Sequence, residues 1–301
     1  MSEKILEVRN LSKSFKDKVV LNSLSFSIER GEIVGFLGSN GAGKSTTLRC
    51  ILGIYAFDKG EVEFGIENKI KSDAIGYLPE ERGLYKNVKV MDMLLYFSRL
   101  KNYPDFKAKK RILEYLKKFD LEGKEKVKIE ELSKGMAQKV QFIASVLHEP
   151  ELLILDEPLS GLDPVSQDLF KNEIRELSRK GTAIFFSSHQ IDLVEELCHR
   201  VYLLNQGRFV LSGNISDIKK SYGGYSCFAK GGKIPESVKK QADHIEKISE
   251  EEYKIYLKSN VVPTEIMESF SGIQFDELSI KRISLHEIYI IEVQKSKGGK
   301  K

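Results

Sequence analysis

The chain has 301 residues, about two domains' worth and long enough to bury a sizeable core. Its 48 Lys and Arg against 44 Asp and Glu leave a net charge of +4 spread over 31% charged residues, a solvated mixed-sign surface and not a nucleic-acid-binding block. Three scattered cysteines (Cys50, Cys198 and Cys227) without a C-x-x-C pair point to neither a disulfide frame nor a zinc site, and no apolar run nears the roughly 18 residues that span a bilayer.

Residues Met1 to Ile5 lead straight into a strand pattern, so no signal peptide is expected. Strands are predicted at Leu6 to Val8, Leu24 to Ile28 and Ile33 to Leu37. The third runs into Gly38-Ser39-Asn40-Gly41-Ala42-Gly43-Lys44-Ser45-Thr46, which fits G-x-x-x-x-G-K-[S/T], and a helix follows over Thr47 to Leu52, ending at Gly53. That strand–loop–helix setting is the one a phosphate-binding loop needs. Its glycines let successive N–H groups turn inward toward phosphate oxygens, and the helix N-terminus adds its positive dipole end. Lys44 is placed to reach β- and γ-phosphates, and the Ser45 hydroxyl to ligate Mg²⁺.

A helix-rich block over about Val88 to Glu149 follows, including Met91 to Phe97 and Ala108 to Phe119, and reads as a separate lobe. Within it Ser133 is a candidate N-cap and Gly135 allows close backbone approach. The apolar strand Leu152 to Leu155 ends in Asp156 and Glu157. Acids at a strand's carboxyl end sit where open α/β sheets bind ligands. Asp156 fits as Mg²⁺ partner of Ser45, and Glu157 as the base that polarises an attacking water. Alone, the pair could equally be an acidic strand end before the Pro158 turn. Strands at Ala183 to Phe186 and Val201 to Leu204 alternate with helices at Pro164 to Lys180 and Ile191 to Cys198. Short, wholly apolar strands predict a parallel sheet covered on both faces.

Beyond Tyr225 the predicted order is strand (Tyr225 to Ala229), helix (Pro235 to Gln241), strands (His244 to Ile248 and Glu252 to Lys258), helix (Pro263 to Phe270), strand (Gln274 to Ile280) and helix (Leu285 to Val293). This βαββαβ order predicts a small ferredoxin-like α+β domain over 221–294. The tail 295–301 is expected to be disordered.

Six motifs in order over residues 1 to about 220 resemble the ATP-binding cassette (ABC) family. Besides the phosphate loop and the acidic strand, Leu132-Ser133-Lys134-Gly135-Met136 resembles its Leu-Ser-Gly-Gly-Gln signature, with Lys134 and Met136 departing from consensus. Ser160-Gly161-Leu162-Asp163 resembles its D-loop. His189 resembles the histidine that contacts the γ-phosphate, although a lone histidine is more often structural. Phe15 resembles the aromatic that stacks on adenine, with a core phenylalanine as the alternative. Glu80 stands where the family usually has a glutamine touching Mg²⁺ and water.

The resemblance implies a P-loop ABC domain over 1–220, with its helical lobe about 84–150. It implies an ATPase that uses ATP and Mg²⁺ and dimerises as a homodimer or with a second cassette. Ser133, Lys134, Gly135, Met136 and Asp163 would then contact nucleotide on the other subunit. It also implies an integral-membrane permease partner and a cytoplasmic place on the inner face of the membrane, with no nucleic-acid partner. The C-terminal region resembles that of export-type cassettes for sodium ions, drugs or antibiotics. The rival is a soluble ABC-type ATPase acting on ribosomes or DNA. Such chains usually carry two cassettes or a long coiled coil, whereas this one has a single phosphate loop and no long heptad run. No Asn-Lys-x-Asp guanine-reading stretch is present.

Overall fold

A computed structural model describes residues 3–65, 71–81, 83–222, 224–258 and 260–298. The chain divides into two compact units, Met1–Phe209 and Val210–Lys301.

The first unit runs β1 (Lys4–Phe15), β2 (Lys18–Glu29), β3 (Ile33–Leu37), α1 (Lys44–Ile51), β4 (Lys59–Phe64), α2 (Lys71–Ala74), β5 (Ile75–Leu78), α3 (Val90–Leu100), α4 (Asp105–Lys118), α5 (Lys134–Val146), β6 (Leu152–Asp156), α6 (Pro164–Arg179), β7 (Ala183–Ser188), α7 (Ile191–Leu197) and β8 (Arg200–Asn205). It closes with the start of β9 (Arg208–Asn214). The expected sheet is present, with strand order β5-β6-β7-β3-β8-β9 and parallel pairing from β5 through β8. Strands β3, β6 and β7 are buried at every residue, which is why their sequences are apolar until Asp156 ends β6 and Ser187-Ser188 end β7.

A second sheet, antiparallel in the order β2-β1-β4, covers one face. Phe26 of β2 meets Phe36 of β3 and Phe185 of β7, each at 5.5 Å between ring centres. Away from that sheet, Phe119, Phe142 and Phe170 join α4, α5 and α6, with centroids 4.5 to 5.5 Å apart. Such large buried rings dominate core energetics.

Several elements differ from the sequence reading. β1 extends to Phe15, well past Val8, because it pairs with β2 along its length across several register shifts. Half-exposed β4 and four-residue β5 lack strong patterns of their own. They are strands because β1 and β6 supply their hydrogen-bond partners.

In the second unit, α8 (Ile215–Ser221) precedes β10 (Tyr225–Lys230), α9 (Glu236–Gln241), β11 (Ala242–Lys247), β12 (Glu252–Leu257), α10 (Pro263–Ser269), β13 (Glu277–Arg282) and α11 (Leu285–Gly298). The strand–helix succession is the one read from the sequence, and the sheet is antiparallel in the order β11-β12-β10-β13. Cys227, Ala229, Ile255 and Leu257 pack with Val238 of α9 and with Ile266 and Phe270 beside them. Opposite-facing Ser226 and Lys254 bond Glu287 of α11 at 3.0 and 2.8 Å. The division falls within β9, ahead of residue 220, since β9 starts in the first unit's sheet and ends at α8. Residues 295–298 continue α11 and are not the disordered tail expected; the rest of that tail, 299–301, lies outside the described residues.

Candidate functional site

Register places the site. Leu37 pairs with Ser188, and Asp156 with Ser187, so β3, β6 and β7 end at one level. The loop after each strand therefore opens on the same side. The loop after β3 is the phosphate loop. Those after β6 and β7 begin with Glu157 and His189.

A cleft of about 370 Å³ lies there, lined by Val20, Ser39, Asn40, Gly41, Gly43, Lys44, Ser45, Thr46, Glu80 and Glu157. Gly43 caps α1 at φ 113°, a left-handed conformation that side chains rarely adopt. It aims the first turn of α1, whose N–H groups have no partner within the helix, at the cleft. Thr47 is tied twice to the Gly43 carbonyl, through its N–H and its hydroxyl, each at 2.9 Å.

Lys44 is almost fully buried and donates to the carbonyls of Gly38 and Ser39 at 2.7 and 3.4 Å. Its Nζ stands 3.6 Å from Glu157 Oε1. Glu157 Oε2 lies 2.9 Å from His189 Nδ1 and accepts from the Ser188 hydroxyl at 3.5 Å. The Glu157 backbone has φ 50°, left-handed for a residue with a bulky side chain, and its N–H is held by the Ser187 carbonyl at 3.0 Å. Non-glycine residues in that region are uncommon and concentrate at functional sites. Here the turn points a buried carboxylate at both a lysine and a histidine.

Asp156 is 1% exposed, and its Oδ1 has no hydrogen-bond partner. Burial pushes its carboxyl pKa up, against the opposing pull of the Ser187 and Ser45 hydroxyls. A buried carboxylate with an open oxygen beside a serine hydroxyl suits a hard cation such as Mg²⁺. No cluster of three or more His, Cys, Asp or Glu with metal-holding geometry occurs among the described residues. A cation there would complete its shell from phosphate oxygens and water, as Mg²⁺ prefers. Glu80 is at the rim, on a loop anchored where Gln141 of α5 donates to the Glu81 carbonyl at 3.1 Å.

Phe15 is 42% exposed, so it is no core phenylalanine. Its ring meets Tyr55 edge-on at 5.5 Å, with Lys13 Nζ 5.1 Å from its centre. Ser133, Lys134 and Asp163 are exposed, and none of Ser133, Lys134, Gly135, Met136 and Asp163 lines the cleft. Ser133 caps α5 by accepting from the Met136 N–H at 3.2 Å, and Asp163 caps α6 by accepting from the Ser166 N–H at 2.9 Å. Val20 went unrecognised in the sequence because it belongs to no motif; β2 places it in the cleft wall, and the segment after α1 sets Tyr55 against Phe15.

Residues 21–160 match the family model for ABC transporters. An uncharacterized ABC transporter ATP-binding protein of Methanocaldococcus jannaschii is 42% identical over 90% of this chain and 98% of its own length. The chain belongs to the ABC transporter ATP-binding protein family. Members hydrolyse ATP, and this cassette is accordingly a nucleotide-binding ATPase. It is also similar to the linearmycin resistance ATP-binding protein of Bacillus subtilis, 34% identical over 73% of this chain and 72% of that one. A solved ATP-binding subunit of an ABC transporter is 31% identical, with TM-score 0.68 over 73% of this chain and 93% of that one. In the cassette no described helix is long and apolar enough to cross a membrane.

Proposed function

We infer that the cassette powers export through a separate integral-membrane permease, as a homodimer or paired with a second cassette, by closing around two ATP molecules. The observation that supports this reading is which residues line the cleft and which do not. The cleft gathers the phosphate loop and Glu157, with His189 2.9 Å from the Glu157 carboxylate, while none of Ser133, Lys134, Gly135, Met136 and Asp163 lines it, and Ser133, Lys134 and Asp163 are exposed. A second subunit offering Ser133, Lys134, Gly135, Met136 and Asp163 would complete it. Lys44 would neutralise β- and γ-phosphate charge, and the α1 N-terminus would cradle the same oxygens. Phe15 would stack on adenine. Glu157 would take the proton of the attacking water, with His189 fixing its carboxylate and reaching the γ-phosphate. Mg²⁺, held by Ser45 and Asp156 with Glu80 at the rim, would supply charge neutralisation on the phosphates.

The exposed aromatics Tyr85, Tyr96 and Phe106 on and beside the helical lobe support docking of a permease there. The resistance protein's name supports export as the direction. We place the cassette in the cytoplasm at the inner face of the membrane, with the second unit as an accessory that steadies or regulates the dimer. Affinity purification from detergent-solubilised membranes tests this. A polytopic membrane protein should co-purify, and recovery of ribosomes or DNA without one would refute the transport reading.

A further inference from the structure

We propose that Gly207, in the turn between β8 and β9, is a positioning residue for nucleotide binding: it wedges the phosphate loop against β2 through main-chain contacts that leave no room for a side chain. Gly207 is buried at φ 74°. Its N–H donates to the Ala42 carbonyl inside the phosphate loop at 3.1 Å, and its carbonyl accepts from the Asn22 N–H of β2 at 2.8 Å. One residue thus ties both segments together. A Cβ at Gly207 would overlap the Val20 carbonyl oxygen and come within 2.9 Å of the Val20 carbonyl carbon.

The loop has no slack elsewhere along this seam. A Cβ on Gly43 would lie 3.1 Å from the Val20 carbonyl oxygen and 2.8 Å from Leu21 Cδ2. On Gly38 it would lie 2.6 Å from the Leu204 carbonyl oxygen. The phosphate loop is therefore seated on Val20 to Asn22 and on Leu204 to Gly207. Val20 itself lines the nucleotide cleft, so displacing its backbone deforms the cleft wall directly. Outside the wedge, the exposed Arg208 guanidinium donates to Asn22 Oδ1 at 3.0 and 2.7 Å with the amide oxygen turned toward it. Arg208 thus pins the β8–β9 turn, which carries Gly207, to β2 by side chains alone.

The test is titration of the full-length protein with a fluorescent ATP analogue, together with KM and kcat for ATP. Gly207→Ala should bind about tenfold more weakly, and KM should rise in step while kcat at saturation stays within about twofold, because the reacting carboxylate is untouched. Gly123→Ala is the control for backbone strain alone, since Gly123 has φ 79° with open space around its Cβ position; its affinity should match the parent. Arg208→Ala should weaken binding by about threefold, with part of the loss recovered in Arg208→Lys. Unchanged affinity in folded Gly207→Ala, or an equal loss in Gly123→Ala, would overturn the proposal. If Gly207→Ala does not fold, Arg208→Ala decides, and parental affinity there overturns it as well.

Discussion

Glu157 is where single-residue chemistry is most exposed to test. Its carboxylate stands between Lys44 and His189, at 3.6 and 2.9 Å, on a backbone turn that costs conformational energy to hold. Glu157→Gln keeps the shape and removes the base. Phosphate release should fall by about 10²- to 10⁴-fold while nucleotide still binds, and gel filtration with ATP and Mg²⁺ should show an accumulating dimer. Turnover at the parental rate would remove Glu157 from the base role. Lys44 and Ser133 separate the two halves of the proposed site. Lys44→Ala deletes a buried charge next to the phosphate loop, so affinity and turnover should both fall. Substituting exposed Ser133 should spare binding by the monomer and damage closure; an equal loss of binding in the two variants, read by the same titration, would rule out a contact made across subunits.

At the level of elements, the helical lobe is fastened to the rest of the first unit by a polar seam between α4 and α6. Tyr115 donates to the buried Glu173 carboxylate at 2.7 Å, and Lys118 pairs with both Glu173 and Glu176. Burial of the Tyr115 ring raises its phenol pKa, which keeps it a neutral donor. Tyr115→Phe leaves Glu173 short of a partner in a nearly water-free place. A cost of about 1.5–3 kcal/mol is expected for a hydrogen bond to a charged group, read by urea denaturation. Hydrogen bonds from Lys118 and then Lys180 hold the Glu176 carboxyl down at about 2. A depressed acid stabilises the fold above its ordinary pKa of 4.5 and loses that contribution as pH falls toward 2. Glu176→Gln should therefore flatten the acid limb of the stability curve between those values, leaving the variant less stable than the parent at pH 7 and converging with it as pH falls toward 2. Curves that stay parallel across that window would show the seam to be electrostatically idle.

Across the whole molecule, the residues proposed to bind nucleotide all fall in the first unit, and the second has its own core around Cys227, Ile255 and Ile266. Strand β9 belongs to the six-stranded sheet, so a fair truncation keeps it. A chain ending at Asn214 should fold, bind ATP and hydrolyse it, with any deficit confined to dimerisation or coupling. Circular dichroism establishes folding and phosphate release establishes activity. A folded but nucleotide-blind product would mean that the second unit contributes to the site.

The sequence by itself determined the phosphate loop, the acidic strand end and the parallel sheet, because each rests on local chemistry. Glycines at fixed offsets, a lysine, and apolar runs closed by carboxylates need no distant partner to be legible. The strand–helix succession of the second unit was readable for the same reason. Only tertiary structure decided what depends on pairing across the chain. β4 and β5 became strands through β1 and β6. Phe15 proved exposed beside Tyr55. Gly207, outside every motif, came to bear on Ala42 and Val20 because β8 returns the chain to the phosphate loop. The left-handed turn at Glu157 likewise depends on the distant Ser187 carbonyl that holds its N–H. Register between β6 and β7, a long-range quantity that no local pattern encodes, supplies that contact.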